Sequence, residues 1–281
     1  MLNLLVSWPY LGKEILQLVA EHHDQIRLLL DSGAFTNWKR GEDTKVPDYI
    51  DFIRNLPIEP WRYFALDRIG DPENTRSNLR RMLDAGLNPV PVFTRGSPAG
   101  LLEELYTVSD LVGIGVGVGS SGYLGYIRWI SEQLRGRNAH WLGVTNPALV
   151  AYYRPYSCDC SNWETGARYG SIPLYLGSGR FTQYHRRDAA SGRPTTKVWK
   201  IVRSYGFDPN ALQHESSWRG GKSVIRSLGA SSWVRYSLEA EARFGTKVFL
   251  ALTTSMACKL VIEAYQKELT LRDAKTVSIT R

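Results

Sequence analysis

Residues 63–93 read YFALDRIGDPENTRSNLRRMLDAGLNPVPVF, and this stretch decides the fold class. Tyr63–Leu66 is a short apolar run ending in Asp67. Asn74–Leu87 carries apolar residues at helical spacing behind the turn Asp71-Pro72-Glu73, and Val90–Phe93 is a second β-rich run. A strand, a helical crossover and a second strand within about thirty residues form one βαβ unit, which implies parallel strands.

The same alternation extends in both directions. Further strand-like runs occur at Leu4–Ser7, Arg27–Leu30, Val112–Val116, Trp141–Val144 and Tyr156–Cys158. Helical patterns occupy Lys13–His22, Pro47–Leu56, Leu101–Ser109, Tyr123–Leu134 and Pro147–Tyr153. Ile172–Leu176 is the candidate eighth strand. Seven or eight βα units predict an α/β fold of the (β/α)8 TIM type, since open doubly wound sheets usually stop at five or six strands. After Gly177 the pattern changes. Residues 178–193 read as a polar loop or lid, and Thr196–Tyr205, Gly221–Ala240 and Lys247–Glu268 read as helices. The expected organisation is a catalytic barrel core over 1–177 and a basic, mainly helical extension over 178–281 packed on it.

Composition narrows the function classes. Of 281 residues, 43% are hydrophobic and 22% charged, as in an ordinary globular protein. No apolar run approaches the roughly 20 residues of a membrane span. The start Met-Leu-Asn-Leu-Leu-Val lacks a signal peptide's basic start and cleavage site, so the expected setting is the cytoplasm. The three cysteines, Cys158, Cys160 and Cys258, are too few for a disulfide framework. With histidines scattered at 22, 23, 140, 185 and 214, a four-ligand structural zinc is not expected, nor is another metal or cofactor. The net charge of +8 is unevenly placed. Residues 1–160 hold 16 Lys and Arg against 18 Asp and Glu, whereas residues 161–281 hold 19 against 9. A near-neutral body joined to a basic second part fits a polyanion partner.

In a parallel barrel the chemistry sits at the C-terminal strand ends. Those ends carry Asp31, Asp67 and Asp159. A single Asp after a strand is often a helix N-cap, and Asp71 fits that role because Pro72 follows it. The other three are followed by further residues before any helix, so together they point to a site. Gly113-Ile114-Gly115-Val116-Gly117 and Gly119 lack the spacing of a dinucleotide fingerprint. They read instead as backbone that approaches a flat ligand closely, or as tight packing. Paired carboxylates suit chemistry at an anomeric carbon, one attacking and the other exchanging a proton.

These motifs resemble, in order, those of the tRNA-guanine transglycosylases. Asp31-Ser32-Gly33-Ala34-Phe35 resembles that family's Asp-Ser-Gly-Gly signature, and Leu66-Asp67 its base-recognising strand end. Gly113–Gly117 is similar to its base-binding strand, and Leu142-Gly143-Val144-Thr145 to its Met-Gly-Val-Gly turn. Tyr156–Cys160 with Gly166–Gly170 resembles its nucleophile strand and the loop after it. The likeness covers about residues 1–175. The family's three-cysteine, one-histidine zinc motif is absent, and Phe93 stands where the tRNA enzymes have a glutamine. The compact, basic chain is most similar to the bacteriophage branch that inserts a 7-deazaguanine such as preQ0 into DNA as protection against restriction.

The resemblance implies Asp159 as nucleophile and Asp31 as general acid/base. It also implies Asp67, Phe93, Gly115, Gly117, Ser32 and Gly143 around the base. Arg168, Arg186, Arg187, Lys197, Lys200, Arg219 and Lys222 are the candidates for DNA phosphates. The alternatives are the same exchange on tRNA, a non-catalytic nucleic-acid-binding barrel, and a glycosidase acting on free sugars, which the basic second part disfavours.

Overall fold

The structure is a computed structural model. It describes residues 1–117, 121–144, 146–164, 166, 169–190, 195–220 and 223–279. Its centre is an eight-stranded parallel sheet flanked by helices. In chain order its strands are β1 (Leu2–Ser7), β2 (Ile26–Asp31), β3 (Arg62–Tyr63), β4 (Val92–Thr94), β5 (Val112–Gly115), β6 (Ala139–Leu142) and β7 (Ser157–Cys160). A hairpin follows, β8 (Ser171–Gly177) with β9 (Arg180–His185), and then β10 (Lys247–Leu252). The sheet order is β3-β2-β1-β10-β7-β6-β5-β4. The sheet curls until its two edges meet at one bridge, Phe64 with Val90. There the Ala65 amide donates to Val90 O and the Val90 amide to Tyr63 O, each at 2.8 Å. No continuous ladder joins β3 to β4, so the curl stops short of a fully paired ring.

The alternation of side chains across the strands sorts two cores. Leu4, Leu30, Phe93, Ile114, Trp141, Cys158 and Leu250 belong to the main core, which also holds helix residues such as Ile15, Tyr49, Leu79, Ile127 and Val261. Leu5, Leu29, Phe64, Val92 and Phe249 form a separate cluster, the filling of the curl. Gly113 is required here by packing. A Cβ on it would lie 2.8 Å from the Phe64 ring, so that ring fills the space a side chain would take.

Three expectations change. The eighth strand is β10, from Lys247–Leu252, and not Ile172–Leu176. β10 lies between β1 and β7, pairing Leu4 with Leu250 and Asp159 with Phe249. Ile172–Leu176 instead lies in β8, antiparallel to β9, which also replaces the loop expected after 178. The helix expected over Lys247–Glu268 is therefore a strand followed by a helix, Ser255–Ile279. Thr254 marks the break, its Oγ1 accepting from the Ala257 amide at 3.1 Å, as an N-cap does. Residue 177 thus does not separate the sheet from an extension, because Trp233, Val234, Val248 and Cys258 share the main core with Leu4 and Trp141. The helices expected at 196–205 and 221–240 are present as Thr196–Ser204 and Val224–Phe244. A second small core, including Ile172, Tyr184, Val202 and Trp218, backs the hairpin. All three cysteines are buried, with no disulfide among the described residues. No described helix is long and apolar enough to cross a membrane.

Candidate active site

Two residues beyond the interior Leu29 the same face of β2 presents Asp31. The same step takes β1 from Leu5 to Ser7 and β4 from Val92 to Thr94. Asp159 joins this face through its register partner Phe249. Asp31, Asp67 and Asp159 are each partly buried at the C-terminal end of the curl.

Asp31 is held on one oxygen. Ser7 Oγ donates to its Oδ2 at 2.7 Å and the Gly33 amide at 3.1 Å. The turn that delivers this amide needs glycine. Gly33 has φ +78°, and a Cβ there would lie 2.4 Å from Pro9 Cδ. Burial raises the Asp31 carboxyl above its ordinary range and the Asp159 charge adds to this, while Ser7, Gly33 and His140 oppose it. Asp31 therefore holds a proton more tightly than a surface carboxyl does.

Asp67 accepts from Ser32 Oγ at 2.9 Å. Burial pushes its carboxyl up to about 7, helped by the Asp31 charge and opposed by the Ser32 hydroxyl. Ser32 is fully buried, so its role is to orient Asp67 and not to touch a ligand.

Asp159 is held from the opposite side. The Gly143 amide donates to its Oδ1 at 2.7 Å, and His140 Nε2 lies 3.2 Å from the same oxygen. His140 is fully buried, edge-on to Phe64 and Phe249, with Nδ1 2.9 Å from Ser157 Oγ. A carboxylate only accepts, so Nε2 donates to Asp159 Oδ1, while Nδ1 faces the Ser157 hydroxyl, which can donate or accept. Both bonds fall on Oδ1, and no described residue bonds Oδ2. That leaves Oδ2 as the oxygen able to attack.

Coulombic coupling links Asp31 to Asp159 on one side and Asp67 to Asp31 on the other. The three sequence-predicted carboxyls are therefore neighbours at one mouth. Such a set combines two carboxyls that burial makes weaker acids, Asp31 and Asp67, with a third, Asp159, fixed by the Gly143 amide and His140. It can run proton-coupled displacement at one carbon.

Phe93 departs from expectation. It is fully buried in the main core, in register with Ile114 and with its ring 6.4 Å from Trp129. It faces the helices and cannot stack on a base at the mouth. Thr94 takes the inward position, and its Oγ1 is buried without a hydrogen-bond partner among the described residues. At Gly115 a Cβ would make only ordinary contacts, so glycine there keeps the mouth open instead of avoiding a clash. Gly117 is exposed at φ +64°. The exposed Gly143 spends its amide on Asp159.

No protein-family model, curated protein or solved structure matches the chain. The site has to be read from its own chemistry.

The phosphate candidates divide. Lys197 and Lys200 are exposed on one helix. Arg186 and Arg219 both pair with Glu215, each at 2.5 Å, and Arg187 lies 3.8 Å from Asp188. Glu215 thus offsets part of the basic cluster. Arg168 and Lys222 lie outside the described residues. Among the described residues no cluster of His, Cys, Asp and Glu is arranged to hold a metal. Sequence reasoning missed His140, Ser7 and Thr94. The register of Ser7 with Asp31 and of His140 with Ser157 puts them in the site, and that register follows only from the sheet order.

Proposed function

We propose that this protein is a transglycosylase that exchanges guanine in DNA for a 7-deazaguanine base such as preQ0, through a covalent bond between Asp159 and C1′. The observation that carries this reading is the gathering of three carboxyls at one mouth, Asp31 held by Ser7 and Gly33, Asp67 by Ser32 and Asp159 by Gly143 and His140. In this reading the curled sheet serves as a (β/α)8 TIM-type barrel, and the reaction takes place in the cytoplasm.

Asp159 Oδ2 attacks C1′ while the C1′–N9 bond breaks. The proton held by Asp31 passes to the departing guanine, and the oxocarbenium-like transition state is stabilised by the surrounding negative charge. The incoming 7-deazaguanine then gives its N9 proton to Asp31, its N9 attacks C1′, and Asp159 is released. Ionised Asp67 accepts the N–H groups of the purine's Watson–Crick edge, and Thr94 Oγ1 at the end of β4 is a further polar group. A guanine within a stack has to be unpaired first, and Lys197 and Lys200 would hold the backbone.

The test incubates the protein with guanine-containing single-stranded DNA, duplex DNA and tRNA, each with labelled preQ0. Label in DNA together with a trapped protein–DNA adduct is the expected result. Label in tRNA alone moves the substrate to tRNA, and label in none of the three, with no adduct, removes the reading.

A further inference from the structure

Gly143, whose amide holds Asp159, also borders a concave surface. An open cleft of about 730 Å³ runs between the ends of β6 and β7 and the β8–β9 hairpin. Gly143 belongs to both places, because its amide holds Asp159 Oδ1 and its exposed face lines the cleft. We infer that this cleft is a subsite for an unpaired nucleobase adjoining the target nucleotide on the same strand. The inference rests on the base-exchange reading for the identity of the strand. Its support lies in the cleft's own chemistry.

Aromatic rings dominate the walls: Tyr123, Tyr169, Phe181 and Trp233. Amide side chains, Asn146 and Gln183, stand among them. None of the described lining residues is charged, so the surface does not suit a phosphate or a carboxylate. Rings for stacking and amides for base edges are what single-stranded bases are read by. The volume falls within the range of small-ligand sites.

The walls are built in advance. Phe181 packs against Tyr175, Trp233 and Tyr236 with ring centroids 4.9, 4.8 and 5.3 Å away. Gln183 Oε1 accepts from Ser171 Oγ at 2.8 Å, which fixes the direction of its amide. Asn146 caps its helix through the Ala148 amide at 2.9 Å. A preformed wall lowers the ordering cost of binding. Trp233, only 4% exposed, backs the cleft with its ring against Phe181.

The distance from the reaction is short, since one residue, Gly143, connects the two places. A strand whose target nucleotide sits over Asp159 therefore has its neighbour within reach of the hairpin. Occupation of the cleft also presses on Gly143 and so bears on the carboxylate that the Gly143 amide holds.

The experiment uses the full chain and fluorescein-labelled single-stranded DNA hexamers containing one guanine. In two companion hexamers the base immediately 5′ or 3′ of the guanine is removed. The wild type is expected to bind one of these abasic hexamers about tenfold more weakly than the intact one, the scale of one base–aromatic stack. Because the described lining is uncharged, that ratio stays constant between low and high salt while overall affinity falls. Tyr169→Ala changes a side chain that is 76% exposed, so the variant keeps its fold. Tyr169→Ala and Trp233→Phe each weaken the intact hexamer and leave the sensitive abasic one unchanged. Equal binding of all three hexamers by the wild type, or variants that weaken intact and abasic DNA alike, overturns the subsite. Base exchange that fails while this pattern holds removes the transglycosylase reading and leaves the subsite standing.

Discussion

Replacing Asp67 by Asn removes a carboxyl that the fold holds up at about 7, against 3.8 for an unperturbed Asp. At pH 3 both the folded and unfolded chains carry the proton, and the shift costs nothing. As pH rises from about 4 the unfolded chain ionises while the folded chain resists until about 7. Stability is therefore lost across that window and is flat above it. At about 1.4 kcal/mol per pH unit, the gap amounts to about 4 kcal/mol, and to about 2 kcal/mol once solvent reaches the partly exposed carboxyl. Asn keeps an oxygen to accept from Ser32 Oγ, so the hydrogen bond at 2.9 Å survives the change. Asp31 titrates in both proteins and largely cancels in their difference. Urea unfolding of wild type and Asp67→Asn from pH 4 to pH 8 measures the effect. The variant should gain on the wild type by about 2–4 kcal/mol between the ends of this range, with the change centred between pH 4 and pH 7. Parallel stability curves would refute the burial argument. For the proposed guanine substrate, binding adds an independent readout, because ionised Asp67 accepts from its N–H groups with no carboxyl proton facing them. The wild type's KM for guanine-containing DNA should fall as pH rises through about 7, and Asp67→Asn should lose that dependence.

Four other perturbations reach different parts of the molecule. Asp159→Asn should abolish both base exchange and the trapped adduct, as read by gel electrophoresis under denaturing conditions, while the unfolding midpoint changes little. His140→Ala leaves Asp159 and Ser157 each short of a partner and opens space between Phe64 and Phe249. It should cost about 2–4 kcal/mol in urea unfolding and lower kcat more than it raises KM. Gly33→Ala places a Cβ 2.4 Å from Pro9 Cδ at φ +78°, so it should cost about 2 kcal/mol or more and shift the turn that donates to Asp31. Replacing Lys197 and Lys200 together by Ala should reduce the slope of log affinity against log salt for DNA by about 2, and an unchanged slope would take both residues off the phosphate path.

The seven strands up to β7 were legible because each is a short apolar run bounded by a turn, and each of the first six is followed by a helical pattern. Tyr123–Leu134 and Pro147–Tyr153 match the expected helices to the residue. β10 was hidden by its own burial. A central parallel strand is apolar on both faces and lacks the two-residue alternation of a half-exposed strand. Lys247–Leu252 therefore merged with the apolar helix that begins two residues later. The Thr254 cap was the available signal, with Gly245 at φ +72° ending the helix before. The three aspartates were legible from their position at strand ends. Their partners were not, because Ser7, Ser157 and His140 are unremarkable in a chain and meet only through strand pairing. Phe93 illustrates the opposite error. An alignment by motif placed it near the base, and the alternation of β4 turned it toward Trp129.

The position of β10 also bears on how the protein comes into being. β1 and β7, which carry Ser7 and Asp159, have no direct pairing with each other, and residues 247–252 bridge them. During synthesis both strands emerge long before their shared neighbour, and their inner edges stay open until it arrives. Open edges of apolar strands invite mispairing. A ribosome-bound chain halted before residue 247 should therefore hold Asp159 with no finished sheet around it, and should draw chaperones that the chain carrying β10 no longer needs.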